Sequence, residues 1–113
     1  MRAGNIVWVR FPYEGASADK PHPALVLDVL ANGQAVLAYG SSQHVDTSCP
    51  PASEVIVSEA AELQECGLRK PTRFDLGIRA KMTVRRSDLI GTLPGRKHKQ
   101  LFRAAVHCGL ITA

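Results

Sequence analysis

The chain has little cysteine, and what it has is poorly spaced for cross-linking. Cys49, Cys66 and Cys108 form an odd, widely separated set, which argues against a disulfide framework and for a reducing cytosol. Together with His22, His44, His98 and His107 they also argue against structural zinc, because no pair has C-x-x-C or H-x-x-x-H spacing. Long apolar runs are missing too. No window approaches 18 apolar residues, and Arg10 interrupts the only early apolar run, so neither a membrane span nor a secretory signal is predicted. A soluble, unprocessed, cytoplasmic protein is expected. There is no internal repeat, no low-complexity segment and no helix-turn-helix pair, which sets aside repeat architectures and weakens a DNA-binding regulator reading.

Carboxylates are scarce after Leu68. Only Asp75 and Asp88 stand there against Arg69, Lys70, Arg73, Arg79, Lys81, Arg85, Arg86, Arg96, Lys97, Lys99 and Arg103. The net charge of +4 and pI near 9.3 therefore understate how basic the C-terminal part is. Nucleic acid or an acidic protein segment is the natural partner for such a field, with a solvated basic face as the plainer alternative. At 113 residues and 45% apolar content the chain is expected to form one domain, residues 1–113, with a real core.

What the sequence does contain is a β-prone run, Pro21 to Leu30, entered through a histidine held between two prolines. Each proline fixes its own φ, and Pro23 pushes His22 toward extended backbone, so the imidazole stands at a stiff strand entrance. Leu25, Leu27 and Val29 then recur at period two with Val26 and Leu30 opposite, the pattern of a strand buried on most of both faces. Upstream, Asn5 to Phe11 reads as a strand stopped by Pro12, with Val7, Val9 and Phe11 on one face and Ile6 and Trp8 on the other. Trp8 is expected to cap the core; the alternative is a ring on which a base stacks. Tyr13 to Pro21 is a polar loop, long enough to be functional.

Asn32-Gly33 predicts a type I′ hairpin turn, so Ala35 to Tyr39 returns antiparallel. Gly40-Ser41-Ser42-Gln43 leaves the strand through small polar residues, and an exposed loop follows to Ala52. Ser53 to Val57 is a short strand, and Ser58 is the expected N-cap of a short helix ending at Gly67. Thr72 to Ile78 reads as an edge or bent strand, followed by another near Arg79 to Val84, with Arg73 projecting to solvent or a cleft opposite Phe74. Pro94 to Ile111 places Leu101, Ala105 and Cys108 on one helix face, with Phe102, Val106 and Gly109 beside them, and Arg96, Lys99, Gln100, Arg103 and His107 on the polar stripe. The expected core includes Val7, Val9, Leu25, Leu27, Val29 and Leu37.

These residues carry a resemblance. Gly-Asn-Ile-Val-Trp-Val-Arg-Phe-Pro-Tyr at Gly4 to Tyr13, a polar loop, Pro-Ala-Leu-Val-Leu at Pro23 to Leu27 and Gly-Ser-Ser-Gln at Gly40 to Gln43 are similar to the MazF/PemK toxins of bacterial toxin-antitoxin pairs. The match covers the first half of the chain; beyond Leu68 only the order and length of elements agree. The resemblance implies a mainly β fold, an SH3-like antiparallel β-barrel with a C-terminal helix, and a homodimer. It implies an endoribonuclease that cuts single-stranded RNA without a metal or other cofactor, and an acidic antitoxin that occupies the RNA groove.

Carried over by position, the family's arginine before Pro-Ala falls on His22, and its catalytic threonine or serine falls on Ser41, with Ser42 and Gln43 alongside. Cleavage by 2′-OH attack needs a proton acceptor, a donor for the departing 5′-oxygen and positive charge for the nonbridging oxygens. Arginine is a poor proton acceptor, whereas histidine exchanges protons near neutral pH but is charged only part of the time. His22 is thus the candidate base or acid and Ser41 the phosphate donor, while Arg69 or Arg73 supplies the permanent charge. The alternative is a noncatalytic barrel of the same fold that binds RNA or an acidic protein, its nuclease chemistry lost with the arginine.

Overall fold

The computed structural model describes residues 1–12 and 20–112. The chain enters its sheet through β1 (Asn5–Val9), a β-branched and aromatic run, and continues through β2 (His22–Val29) and β3 (Gln34–Ser41). Between the latter two, Asn32 (φ 62°, ψ 32°) and Gly33 (φ 75°) both take the left-handed conformation that the expected type I′ turn requires. Then come β4 (Glu54–Val57), α1 (Ala60–Cys66), β5 (Thr72–Thr83), β6 (Leu89–Thr92) and α2 (His98–His107). All pairings are antiparallel, in the order β4-β5-β3-β2-β1-β6. The loop expected at Tyr13 to Pro21 falls, from Tyr13 to Asp19, outside the described residues. Among the described residues no helix is long and apolar enough to cross a membrane.

The sheet has two apolar faces because it curls. Val7 and Val9 of β1 share a cluster with Ile78, Ala80 and Met82 of β5 and with the following Val84, although β2 and β3 lie between those strands. This concave side also takes Phe11, Ala24, Val26, Leu37 and Tyr39. The convex side, with Ile6, Leu25, Val55, Val57, Phe74 and Leu76, is covered by Cys66 of α1 and Ala104 of α2. The result is a mainly β half-barrel with a C-terminal helix, as the resemblance implies.

Where the structure departs from the periodicity, a bulge or an edge explains it. Val26 pairs Leu37 but Asp28 pairs Val36, so Leu27 is an extra residue and the faces of β2 exchange beyond it. Val29 is consequently 42% exposed instead of core, and Leu25 with Leu27 packs under the helices, apart from Val7, Val9 and Leu37. Trp8 is 46% exposed and does not cap the core, because β6 begins at Leu89, opposite Val7, and so does not reach Trp8, and of β1 the helix-covered cluster takes in Ile6 alone. The two strands expected between Thr72 and Val84 are one, and its first half is interior, between β3 and β4; the break at Gly77 is a bulge, Ala38 pairing Arg79 while Tyr39 pairs Asp75.

The helices differ in detail. Glu59, not Ser58, is the N-cap of α1, with no side-chain cap hydrogen bond, while Gly67 (φ 71°) ends it as expected. Helix α2 is shorter than Pro94 to Ile111: Gly95–Lys97 is a 3-10 turn, so Arg96 precedes the helix. Phe102 is 52% exposed and Ala104 takes the most buried place. Gln100 leaves the polar stripe to accept a hydrogen bond from the Ile56 N–H on the free edge of β4 (3.2 Å).

Candidate active site

Strand register assembles the candidate residues. Ser41, the last residue of β3, is the direct antiparallel partner of Arg73 on β5. Paired residues point to the same side of a sheet, as do residues two apart on one strand. Ser41 therefore joins Tyr39 on the concave face, as do Arg73 and Asp75 of β5 and Glu54 of β4. His22 opens β2 opposite Val9, also a concave-side residue, and its ring lies 5.2 Å from the Tyr39 ring, centroid to centroid. The concave face is thus apolar along most of its length and polar at one end.

Packing fixes that end closely. A Cβ on Gly40 would stand 2.4 Å from the Pro23 carbonyl oxygen and 2.8 Å from the Phe74 ring, so only glycine lets β2 approach β3 beside His22 and Ser41. The Ser41 hydroxyl accepts from the Gln43 N–H (3.1 Å), and the Gln43 carbonyl accepts from Arg73 Nε (2.8 Å). Arg73 Nη1 reaches Glu54 Oε2 at 3.0 Å and Asp75 Oδ2 at 4.0 Å. Ser41, Gln43 and Arg73 are thereby one bonded unit. Ser42 is exposed at the strand exit, and Arg69 is exposed on the α1–β5 connection, outside this chain of hydrogen bonds.

Arg73 faces the concave side, opposite in face to Phe74 as expected, and is held there by an ion pair. Glu54, only 6% exposed, is the residue that reading by pattern missed. A carboxylate opening the run Glu-Val-Ile-Val has no periodic signal of its own; only its pairing opposite Asp75, next to Arg73, gives it a role. Glu54 Oε1 and His22 Nε2 are buried without a hydrogen-bond partner among the described residues. Such groups are costly unless something else meets them.

Other charges in the basic half are also spent internally. Arg96 pairs with the buried Glu62 (2.9 Å) and with Glu65 (3.3 Å), and Lys97 lies 3.5 Å from Glu62. Burial, aided by the Glu62 and Glu65 charges, pushes the neighbouring Cys66 thiol up to about 11. Among the described residues no cluster of three His, Cys, Asp or Glu is placed to hold a metal ion. Chemically the polar end offers the His22 imidazole, the Ser41 and Tyr39 hydroxyls and the Arg73 guanidinium, the last already shared with the Glu54 and Asp75 carboxylates.

No family model matches the sequence, and no curated protein matches it. Among solved structures the chain is similar to the Mycobacterium tuberculosis toxin MazF-mt6, at 20% identity and a TM-score of 0.68. That likeness covers 96% of this chain and 99% of the other, and extends past Leu68, where the sequence resemblance fades. Over nearly its whole length, this chain has a MazF-like fold.

Proposed function

We propose that the chain is the toxin of a toxin-antitoxin pair, a metal-independent endoribonuclease that cleaves single-stranded RNA in the cytoplasm. The observation that carries the reading is the joining of Ser41, Gln43 and Arg73 through register and hydrogen bonds at the strand end where His22 enters. His22 takes the proton of the ribose 2′-OH; with Nε2 buried, that exchange falls to Nδ1. The 2′-oxygen attacks phosphorus, the bond to the 5′-oxygen breaks, and that oxygen takes a proton from solvent water as a 2′,3′-cyclic phosphate forms, while His22 returns its proton to solvent. Ser41 donates to a nonbridging oxygen and Arg73 supplies permanent charge. Ser42, Gln43 and Arg69 follow the RNA backbone outward, and an acidic antitoxin segment competes for the same basic groove.

Cleavage of single-stranded RNA in EDTA tests this directly. His22→Ala should slow it by roughly a hundredfold or more and flatten its pH profile while RNA binding persists. Equal rates in wild type and His22→Ala would move the chemistry elsewhere. A second reading, a binder without catalysis, is favoured by the ion pair that already occupies Arg73. It requires that the wild type bind RNA and leave it intact, and that His22→Arg restore some cutting by returning a permanent charge.

The working unit is a homodimer. Phe102, Leu110 and Ile111 are exposed around a groove of about 620 Å3 that also meets Leu27 and Val36, more apolar surface than one barrel needs to show water. Light scattering should give a dimer at micromolar concentration and a monomer for Phe102→Glu. A wild-type monomer would count against a shared RNA groove.

A further inference from the structure

The one tryptophan of the chain is turned out of both cores. On β1, Ile6 and Trp8 share the convex face, yet Ile6 is sealed under the helices and Trp8 stands in water. A large aromatic left exposed on a strand contributes nothing to the core, and its flat face is free for a ligand. Trp8 lines a groove of about 340 Å3 with Arg10, Pro21, Met82, Arg85 and Asp88, at the lower end of the size range of ligand pockets. Arg10 and Arg85 are exposed, and no carboxylate of the described residues pairs with their guanidinium groups. Asp88, the acid of the lining, accepts a hydrogen bond from the Arg85 backbone N–H (2.8 Å).

We propose that Trp8, Arg10 and Arg85 form a nucleobase subsite, in which an unpaired base of single-stranded RNA stacks on the indole while the two guanidinium groups hold the flanking phosphates. An aromatic face with cations at its rim is the recurring platform for single strands, and the stack tolerates any base. The location fits a strand that runs on to the candidate centre. Trp8 itself is on the opposite face of the sheet from His22. Val9, which with Met82 lines the same groove, belongs to the concave cluster and pairs directly with His22, so the groove rounds the open edge of β1 toward the imidazole. An added peptide strand is a poorer occupant, because β1 has β2 on one side and β6 as far as Val7 on the other, leaving only Trp8 and Val9 as open edge.

The inference rests on the RNA reading above, and its test keeps the two apart. Since Trp8 is the sole tryptophan, intrinsic fluorescence reports on this site alone. The probes are a deoxyoligonucleotide of about eight nucleotides, which lacks the attacking 2′-OH, and its abasic counterpart with the same phosphates. The base-bearing oligomer should quench Trp8 and the abasic one should not. Trp8→Ala should weaken the base-bearing oligomer by about tenfold or more, leave the abasic one unchanged, and be largely rescued by Trp8→Phe. Binding that is equal with and without bases, or indifferent to Trp8→Ala, overturns the subsite and spares the RNA reading. No binding of either oligomer, with quenching by a poly-glutamate peptide instead, overturns both.

Discussion

Single residues set the sharpest limits on what pattern alone reveals. His22 and Ser41 are legible because proline neighbours and a serine pair after a strand are local features, and the resemblance points to the same positions. Glu54 is not, since its partner Arg73 is 19 residues away and meets it only after β4 and β5 pair. Trp8 is misplaced by alternation, which assigns a face and says nothing of how far the covering helices extend along it. Cys66 offers a residue-scale check on the buried network. Its thiol is raised to about 11 from an ordinary value of 9.0, first by burial and then by Glu62 and Glu65. Between those values the unfolded chain loses the proton while the folded chain keeps it, so the contribution is complete below pH 9 and disappears as pH rises toward 11. Urea midpoints should therefore fall more steeply over that window in wild type than in Cys66→Ala. Parallel slopes would mean that the thiol ionises as easily in the folded protein. At pH 8 the exposed Cys49 should react with thiol reagents long before Cys66 does.

At the scale of elements, the order and kind of strands follow from β-propensity and turn residues, and the departures all come from curling the sheet. A regular β2 would put Val29 with Leu25 under the helices; the extra residue at Leu27 places it opposite Ala35 on the concave side instead, where, as the last residue of the strand, it stays exposed. The three residues of β5 between Asp75 and Arg79 that have no partner on β3 let one strand serve two parts of the half-barrel, with the Arg79 guanidinium donating to the Leu76 carbonyl across the bulge. By pattern Gly77 is an interruption, because local sequence does not distinguish a bulge from a strand end. The contact of α1 with β6 depends on a different glycine. A Cβ at Gly91 would fall 2.2 Å from the Cys66 carbonyl carbon and 2.6 Å from the Glu65 carbonyl oxygen, and backbone cannot swing aside as a side chain can. Gly91→Ala should therefore lower stability by about 2 kcal/mol, read as a drop in thermal midpoint. Gly95→Ala, with open space at its Cβ, is the control and should change little. Matching midpoints for the two variants would show that α1 is free to shift on β6.

For the whole molecule, the basic C-terminal half is visible in the composition, but how much of it faces a partner depends on pairing that only the fold reveals. Arg96 and Lys97 anchor the turn before α2 to Glu62 of α1, and Arg73 is shared with Glu54 and Asp75. Arg69, Arg10 and Arg85 are exposed and take no part in the ion pairs of the described residues. The field offered to a polyanion is consequently that of the cations outside these pairs, among them this second set, of which Arg10 and Arg85 line the indole groove. This separates two kinds of arginine in one measurement. When a single strand binds, each phosphate neutralised releases a fraction of a counterion, so the slope of log affinity against log salt shrinks by about 0.7 for every phosphate that is no longer neutralised. Arg69→Ala should reduce that slope by about 0.7 whatever the RNA sequence, and Arg69→Ala with Arg85→Ala by about twice as much. Arg96→Ala should leave the slope unchanged while lowering stability, because it strips the nearer of two cationic partners from a buried carboxylate. An equal loss of slope in Arg96→Ala and Arg69→Ala would mean that the Glu62 pair opens on binding and that the basic half acts as one undivided field.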